Sequence, residues 1–248
     1  MRIEATFVKS AAGATDFPRD HAEIALVGRS NVGKSSLINA LVGQSVARTS
    51  AAPGKTRLAN IYRVARRASG LLYLVDLPGY GYARGGAGSA REFEELTRAY
   101  FAERSPEGSR YKVEARGEHG ARGSQDVARG FSRAISALLL IDSRHPGLRS
   151  DLEAWRWLTG AVDASALVAT KIDKLARGER IRALRELQSV FGDPVLPVSA
   201  ATGEGLDELW KLIDTLANNP NPTRPRNHRC REEPAAPSLP KKPLPPRK

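Results

Sequence analysis

A single cysteine, Cys230, in 248 residues leaves no intramolecular disulfide and no cysteine-rich metal site. No apolar run approaches the roughly 20 residues that a membrane-spanning helix needs. The N-terminus lacks the pattern of a secretory signal, so a soluble, cytoplasmic protein with no membrane partner is expected. Aromatic residues are scarce at 6%, and the three tryptophans, Trp155, Trp157 and Trp210, are expected to pack helices onto a sheet. Acidic residues are also short, 27 against 39 Lys and Arg, giving a formal charge of +12. That excess is uneven. Residues 218–248 hold eight Lys or Arg against Glu232 and Glu233, half of the total, and residues 104–133 hold seven basic against four acidic residues.

What the chain does have is a phosphate-binding loop. Gly28-Arg29-Ser30-Asn31-Val32-Gly33-Lys34-Ser35 stands between the apolar run Ile24-Ala25-Leu26-Val27 and Ser36-Leu37-Ile38-Asn39-Ala40-Leu41, which has helical spacing. In that context backbone N–H groups turn inward on a polyanion, and the positive end of the helix dipole backs them. Gly28 and Gly33 permit the turn. Lys34 is placed to reach the β- and γ-phosphates and the Ser35 hydroxyl to hold a magnesium ion.

Two later segments select the base. Ala166-Leu167-Val168-Ala169 leads into Thr170-Lys171-Ile172-Asp173, where a carboxylate at the end of a strand can accept from both N1–H and the 2-amino group of guanine. Adenine offers no such pair of donors. The Lys171 stem is expected to cover the ring. Pro194-Val195-Leu196-Pro197-Val198 then delivers Ser199-Ala200, whose backbone N–H suits the guanine oxygen. Read alone, Asp173 is an ordinary N-cap carboxylate. Its place after the phosphate loop and before Ser-Ala favours GTP and GDP as ligands.

Between these segments, Leu71-Leu72-Tyr73-Leu74-Val75 runs into Asp76-Leu77-Pro78-Gly79. Asp76 is assigned to magnesium through water and the Gly79 N–H to the γ-phosphate. Thr56, in Pro53-Gly54-Lys55-Thr56, is read as the second hydroxyl on magnesium, although a threonine in a Pro-Gly stretch is also an ordinary turn residue. Both segments read as switch loops that loss of the γ-phosphate would release. GTPases that hydrolyse quickly tend to place a water-orienting glutamine directly after the Asp-x-x-Gly glycine. Here that position is Tyr80, and no substitute base is evident, so intrinsic turnover is expected to be slow, with a partner supplying what is missing.

The apolar runs alternate with helical patterns, among them Leu206, Leu209, Trp210 and Ile213 in the last one. Alternation of this kind predicts an α/β fold on a doubly wound, mostly parallel sheet, and with the nucleotide motifs above the expected class is a three-layer α/β/α P-loop GTPase domain. The sequence divides into a lead-in over 1–20, a nucleotide-binding domain over 21–217 with a polar insertion at about 104–130, and a Pro-rich basic tail over 218–248.

Several segments in order resemble the EngB/YsxC (YihA) family of ribosome-biogenesis GTP-binding proteins, within the translation-factor-like GTPases. They are Phe7-Val8-Lys9-Ser10, the phosphate loop through Asn39, Pro53-Gly54-Lys55-Thr56, Asp76-Leu77-Pro78-Gly79-Tyr80-Gly81-Tyr82, Ile141-Asp142-Ser143-Arg144-His145-Pro146 and Thr170-Lys171-Ile172-Asp173. The Asp-Leu-Pro-Gly-Tyr-Gly-Tyr and Arg-His-Pro segments discriminate most, because many GTPases share the phosphate loop. The resemblance covers residues 1 to about 217. It implies a monomeric GTPase that engages the large ribosomal subunit, its rRNA and its proteins, during assembly, in a setting of cell division and septation. Arg57 departs from the glutamine more usual there. Asn31 resembles the asparagine that positions potassium in some related GTPases, the alternative being that it only stabilises the loop.

The basic insertion and tail suit counterion-releasing contacts with RNA phosphate. Nine prolines and the lack of apolar periodicity make residues 218–248 an extended, disordered segment. A solvated insertion and a solubilising tail are the plainer readings, with a membrane surface or a Pro-x-x-Pro ligand as further ones. Two other function classes stay open: a tRNA-modification or signalling GTPase, against which the lack of a second folded domain argues, and a nucleotide-gated module whose hydrolysis is incidental.

Overall fold

The computed structural model describes residues 3–13, 16–18, 20–48, 58–66, 70–80, 97, 100, 101 and 135–218. Pro53, Gly54, Lys55, Thr56 and Arg57, the 104–130 insertion and the tail from residue 219 lie outside the described residues.

Seven strands form one sheet: β1 (Ile3–Ala11), β2 (Ala22–Gly28), β3 (Ala59–Arg66), β4 (Gly70–Asp76), β5 (Ile135–Asp142), β6 (Ala164–Thr170) and β7 (Val195–Pro197), in the spatial order β1-β3-β4-β2-β5-β6-β7. The β4-β2-β5-β6-β7 portion is parallel, and β3 runs antiparallel to both of its neighbours. Helices α1 (Lys34–Val42), α2 (Arg149–Ala161), α3 (Arg177–Phe191) and α4 (Leu206–Asn218) cover the two faces.

The central strands read as continuous apolar runs because a parallel sheet is buried on both sides, and the two-residue period then sorts each strand between two cores. Ile24 and Leu26 of β2 with Leu138 and Leu140 of β5 meet Leu37, Ile38 and Leu41 of α1 and Leu209, Trp210 and Ile213 of α4. Ala25, Val27, Leu139 and Ile141 point the other way, onto Trp155 and Leu158 of α2 and Leu187 and Phe191 of α3. The Trp155 indole donates to Asp193 and the Trp210 indole to the Leu41 carbonyl. Trp157 is half-buried, with its ring edge on Phe101 at 5.3 Å between centroids.

Residues 3–11, within the expected lead-in, form strand β1, a full member of the sheet paired with β3 from Ile3↔Arg66 to Ala11↔Ala59. A shift of register between Phe7 and Lys9 breaks its alternation, leaving Phe7 and Val8 exposed on the edge strand. At the far end of β3, the Arg66 guanidinium lies 4.1 Å from the centre of the Trp210 ring and bonds Asp214 at 2.5 Å, fastening α4 to the sheet.

Candidate nucleotide site

Register brings the motifs to one edge. Leu26 pairs with Asp76, Gly28 with Leu140 and Asp142 with Thr170, so β2, β4, β5 and β6 all end together and hand their following loops to one crevice. In a doubly wound sheet ligands bind there.

The loop after β2 is shaped by two residues with positive φ, Asn31 at 62° and Gly33 at 109°. Asparagine tolerates that region better than most side chains, which gives Asn31 a conformational reason to stand there. Gly28 is fixed by space: a Cβ would lie 2.8 Å from the Leu140 carbonyl oxygen and 2.9 Å from Val32 Cγ1. Leu37 N–H makes the first bond of α1, to the Gly33 carbonyl, so the N–H groups of Lys34, Ser35 and Ser36 precede the helical ladder at its positive end. Lys34 is buried and its ammonium donates to the Gly28 and Arg29 carbonyls at 3.1 and 3.4 Å. Burial lowers its pKa against the pull of Asp76.

Opposite lies Asp76, 1% exposed, which accepts the Ser35 hydroxyl on Oδ2 at 2.6 Å. Its Oδ1 is buried with no hydrogen-bond partner among the described residues. Burial raises the pKa of this carboxyl, and Lys34 and Ser35 oppose the rise. A hydroxyl beside an unsatisfied carboxylate oxygen fits magnesium, a hard cation usually held by one or two carboxylates together with phosphate oxygens. Among the described residues there is no cluster of His, Cys, Asp and Glu of the kind that cages a metal alone.

The base-selecting residues converge from the other side. The Thr170 hydroxyl donates to the Val32 and Ile141 carbonyls. Lys171, at φ 61°, sends its ammonium to the Asn31 carbonyl at 2.5 Å and to Asp142 Oδ2 at 2.9 Å. Asp142 is held in turn by both sides of the Arg144 guanidinium, at 2.9 and 2.7 Å. Burial pushes this carboxyl up, but Arg144 and Lys171 outweigh it and keep the group well below the usual range. Asp173 does not cap α3, whose N-cap is Ala176; its Oδ1 accepts the Ser199 hydroxyl at 2.7 Å. That bond, with lesser help from Lys174, holds Asp173 below the ordinary aspartate value and therefore ionised, as a double acceptor must be. Ser199 is held by turn bonds from the Ala201 and Thr202 N–H groups to its hydroxyl, and Val198 N–H bonds the Ala169 carbonyl, which keeps Ser199 beside Asp173.

Some motif residues serve the core. Val32, Leu77 and Ile172 are buried and position the backbone on either side of them. Two side chains carry no role in the sequence reading: Asp142, which anchors Lys171, and Asp151, which with Arg29 of the phosphate loop holds Tyr80. Asp142 lies in the Ile-Asp-Ser-Arg-His-Pro segment, a signal without a role attached. Asp151 sits in the first turn of α2, where an acidic residue ordinarily reads as a match to the helix dipole.

Residues 23–114 match the family model described as a 50S ribosome-binding GTPase. A probable GTP-binding protein EngB of Solibacter usitatus is 39% identical over 216 residues, which span 86% of this chain and 96% of that relative. The chain belongs to the EngB family of GTP-binding proteins. It is a GTPase that binds guanine nucleotide. The EngB relatives of Pelotomaculum thermopropionicum and Thermotoga maritima are each 36% identical, covering 86% and 84% of this chain and 96% and 94% of their own. A crystal structure of a probable GTP-binding protein engB has a TM-score of 0.50 at 21% identity, over 80% of this chain and 99% of that one. Aquifex aeolicus Era bound to GDP.AlF4- has a TM-score of 0.57 at 22% identity, over 78% of this chain and 56% of that one, and both share the fold. No helix among the described residues is long and apolar enough to cross a membrane.

Proposed function

We propose that this EngB-family GTPase is a cytoplasmic GTP/GDP switch in assembly of the large ribosomal subunit, and that its hydrolysis is slow until a partner completes the site. One observation carries the proposal: Tyr80, at the position that orients water in fast GTPases, has its hydroxyl committed to Asp151 at 2.8 Å. A switch without its own water-orienting group suits timing by a bound particle. The match to a model of ribosome-binding GTPases and the excess of basic residues support an RNA-rich one.

In this reading Lys34 and the N–H groups of residues 31–36 cradle the β- and γ-phosphates, while Gly79 N–H senses the γ-phosphate. Ser35 and, through water, Asp76 would hold magnesium, with Thr56 as a second hydroxyl. The ion, when bound, neutralises charge developing on the phosphate oxygens. Asp173 accepts from the guanine edge, the Ala200 N–H donates to its oxygen, and Lys171, braced by Asp142, closes over the ring. Asn31 is the residue through which potassium would act.

The test is cosedimentation with large ribosomal subunits at moderate and high salt, comparing a non-hydrolysable GTP analogue with GDP. Tighter binding with the analogue at both salts is expected, together with faster single-turnover hydrolysis on the subunit. Binding that ignores the nucleotide and vanishes in high salt would reduce the interaction to the electrostatics of the basic segments and refute the switch.

A further inference from the structure

Three side chains distant in sequence meet beneath the loop that follows β4. The Tyr80 hydroxyl donates to Asp151 Oδ1 at 2.8 Å, and Arg29 Nε lies 3.1 Å from the same oxygen. Asp151 is fully buried at the start of α2. The other face of the same loop is sewn to the phosphate loop: Ser30 N–H donates to the Tyr80 carbonyl at 3.1 Å, and Arg29 and Tyr80 form a parallel bridge. Gly79 is pressed so close that a Cβ would stand 2.5 Å from the Ser30 nitrogen.

We propose that Asp151 is a positioning residue for the third phosphate, latching Tyr80 to α2 so that Gly79 is held against Ser30 before the nucleotide arrives. The latch acts through Gly79 as the γ-phosphate sensor of the function proposed above, and rests on that reading. Binding that must first order a loop is weakened by the cost of ordering it, and a loop already held in place escapes that cost. Only a triphosphate uses Gly79, so only its affinity should feel the latch. A buried carboxylate with one hydroxyl donor and one cation against the same oxygen is a costly feature to maintain for stability alone. Its contacts end on a loop whose position, in this reading, matters to one ligand and not the other.

The experiment measures affinity of the full chain for GDP and for a non-hydrolysable GTP analogue in Tyr80→Phe, Asp151→Ala and the double variant. Loss of one hydrogen bond to a charged group should weaken the analogue about tenfold and leave GDP within about twofold in each single variant, with the double variant no worse than either. Retained GDP affinity also reports that the variants are folded. Equal weakening of both nucleotides, unchanged analogue affinity, or additive losses would overturn the latch. Gly79→Ala separates the premise: its methyl must push the loop off Ser30, so the analogue should lose affinity selectively. If Gly79→Ala does so and the latch variants do not, the latch alone falls; if Gly79→Ala spares the analogue, the sensor reading falls beneath it.

Discussion

Replacing Asp173 with asparagine tests the base site at its narrowest point. The carboxylate already accepts the Ser199 hydroxyl on Oδ1 at 2.7 Å, and an asparagine carbonyl can keep that bond. The side chain should therefore stay in place while an N–H₂ group replaces an acceptor toward the base. Guanine brings two donors to this edge, and hydrogen bonds to a charged group contribute about 1.5–3 kcal/mol each. Losing both amounts to roughly 3–6 kcal/mol, a fall in GDP affinity of about 10²- to 10⁴-fold. Xanthine, with an oxygen where guanine has its amino group, should gain relative to guanine. Competition between GDP and XDP for the purified variant, read by displacement of a fluorescent nucleotide, measures both changes. An Asp173→Asn chain that still prefers guanine by the wild-type margin would refute this account of the base site. The same geometry gives the pH dependence. The folded carboxyl titrates below the ordinary value of 3.8, so its bond to Ser199 and its acceptance from guanine are intact above that value and are lost only as pH falls through the lowered one.

Other outcomes follow from the same contacts. Lys34→Ala and Asp76→Ala should each abolish measurable GTP turnover, the first by removing the buried ammonium at the phosphate loop and the second by removing the carboxylate that faces Ser35; turnover surviving in either would contradict the phosphate site. If Asn31 positions an ion, steady-state turnover should be faster in potassium than in sodium, and equal rates would leave Asn31 with its backbone role alone. Arg66→Lys loses the planar contact over Trp210 and the guanidinium bond to Asp214, which should lower stability by about 1–3 kcal/mol and the thermal midpoint by roughly 2–10 °C, with nucleotide affinity unchanged. A midpoint equal to wild type would mean that α4 needs no such fastening.

Much of the fold was legible because its signals are local. Apolar runs bounded by glycine-rich loops gave the parallel strands, and the spacing of Leu209, Trp210 and Ile213 gave the face that α4 buries. The first strand carries little local signal, because Phe7 and Val8 face outward and the bulge between Phe7 and Lys9 breaks the two-residue alternation that marks a strand. Leu77 and Ile172 stand inside nucleotide motifs yet are core residues, a distinction that depends on which way a strand end turns its side chains.

The sequence by itself determined the ligand class, because a phosphate loop, an Asp-x-x-Gly and a Thr-Lys-x-Asp each carry their chemistry within a few consecutive residues whose backbone is set by their own glycines and flanking strands. Only the tertiary structure decided how those pieces are held. Tyr80 and Asp151 are 71 positions apart, Asp142 and Lys171 29, and Asp173 and Ser199 26. Each pair forms where parallel strands end side by side, and no local preference of either residue announces its partner. Side-chain bonds across that edge are a property of register, and register is fixed by two cores packing at once on opposite faces of the sheet.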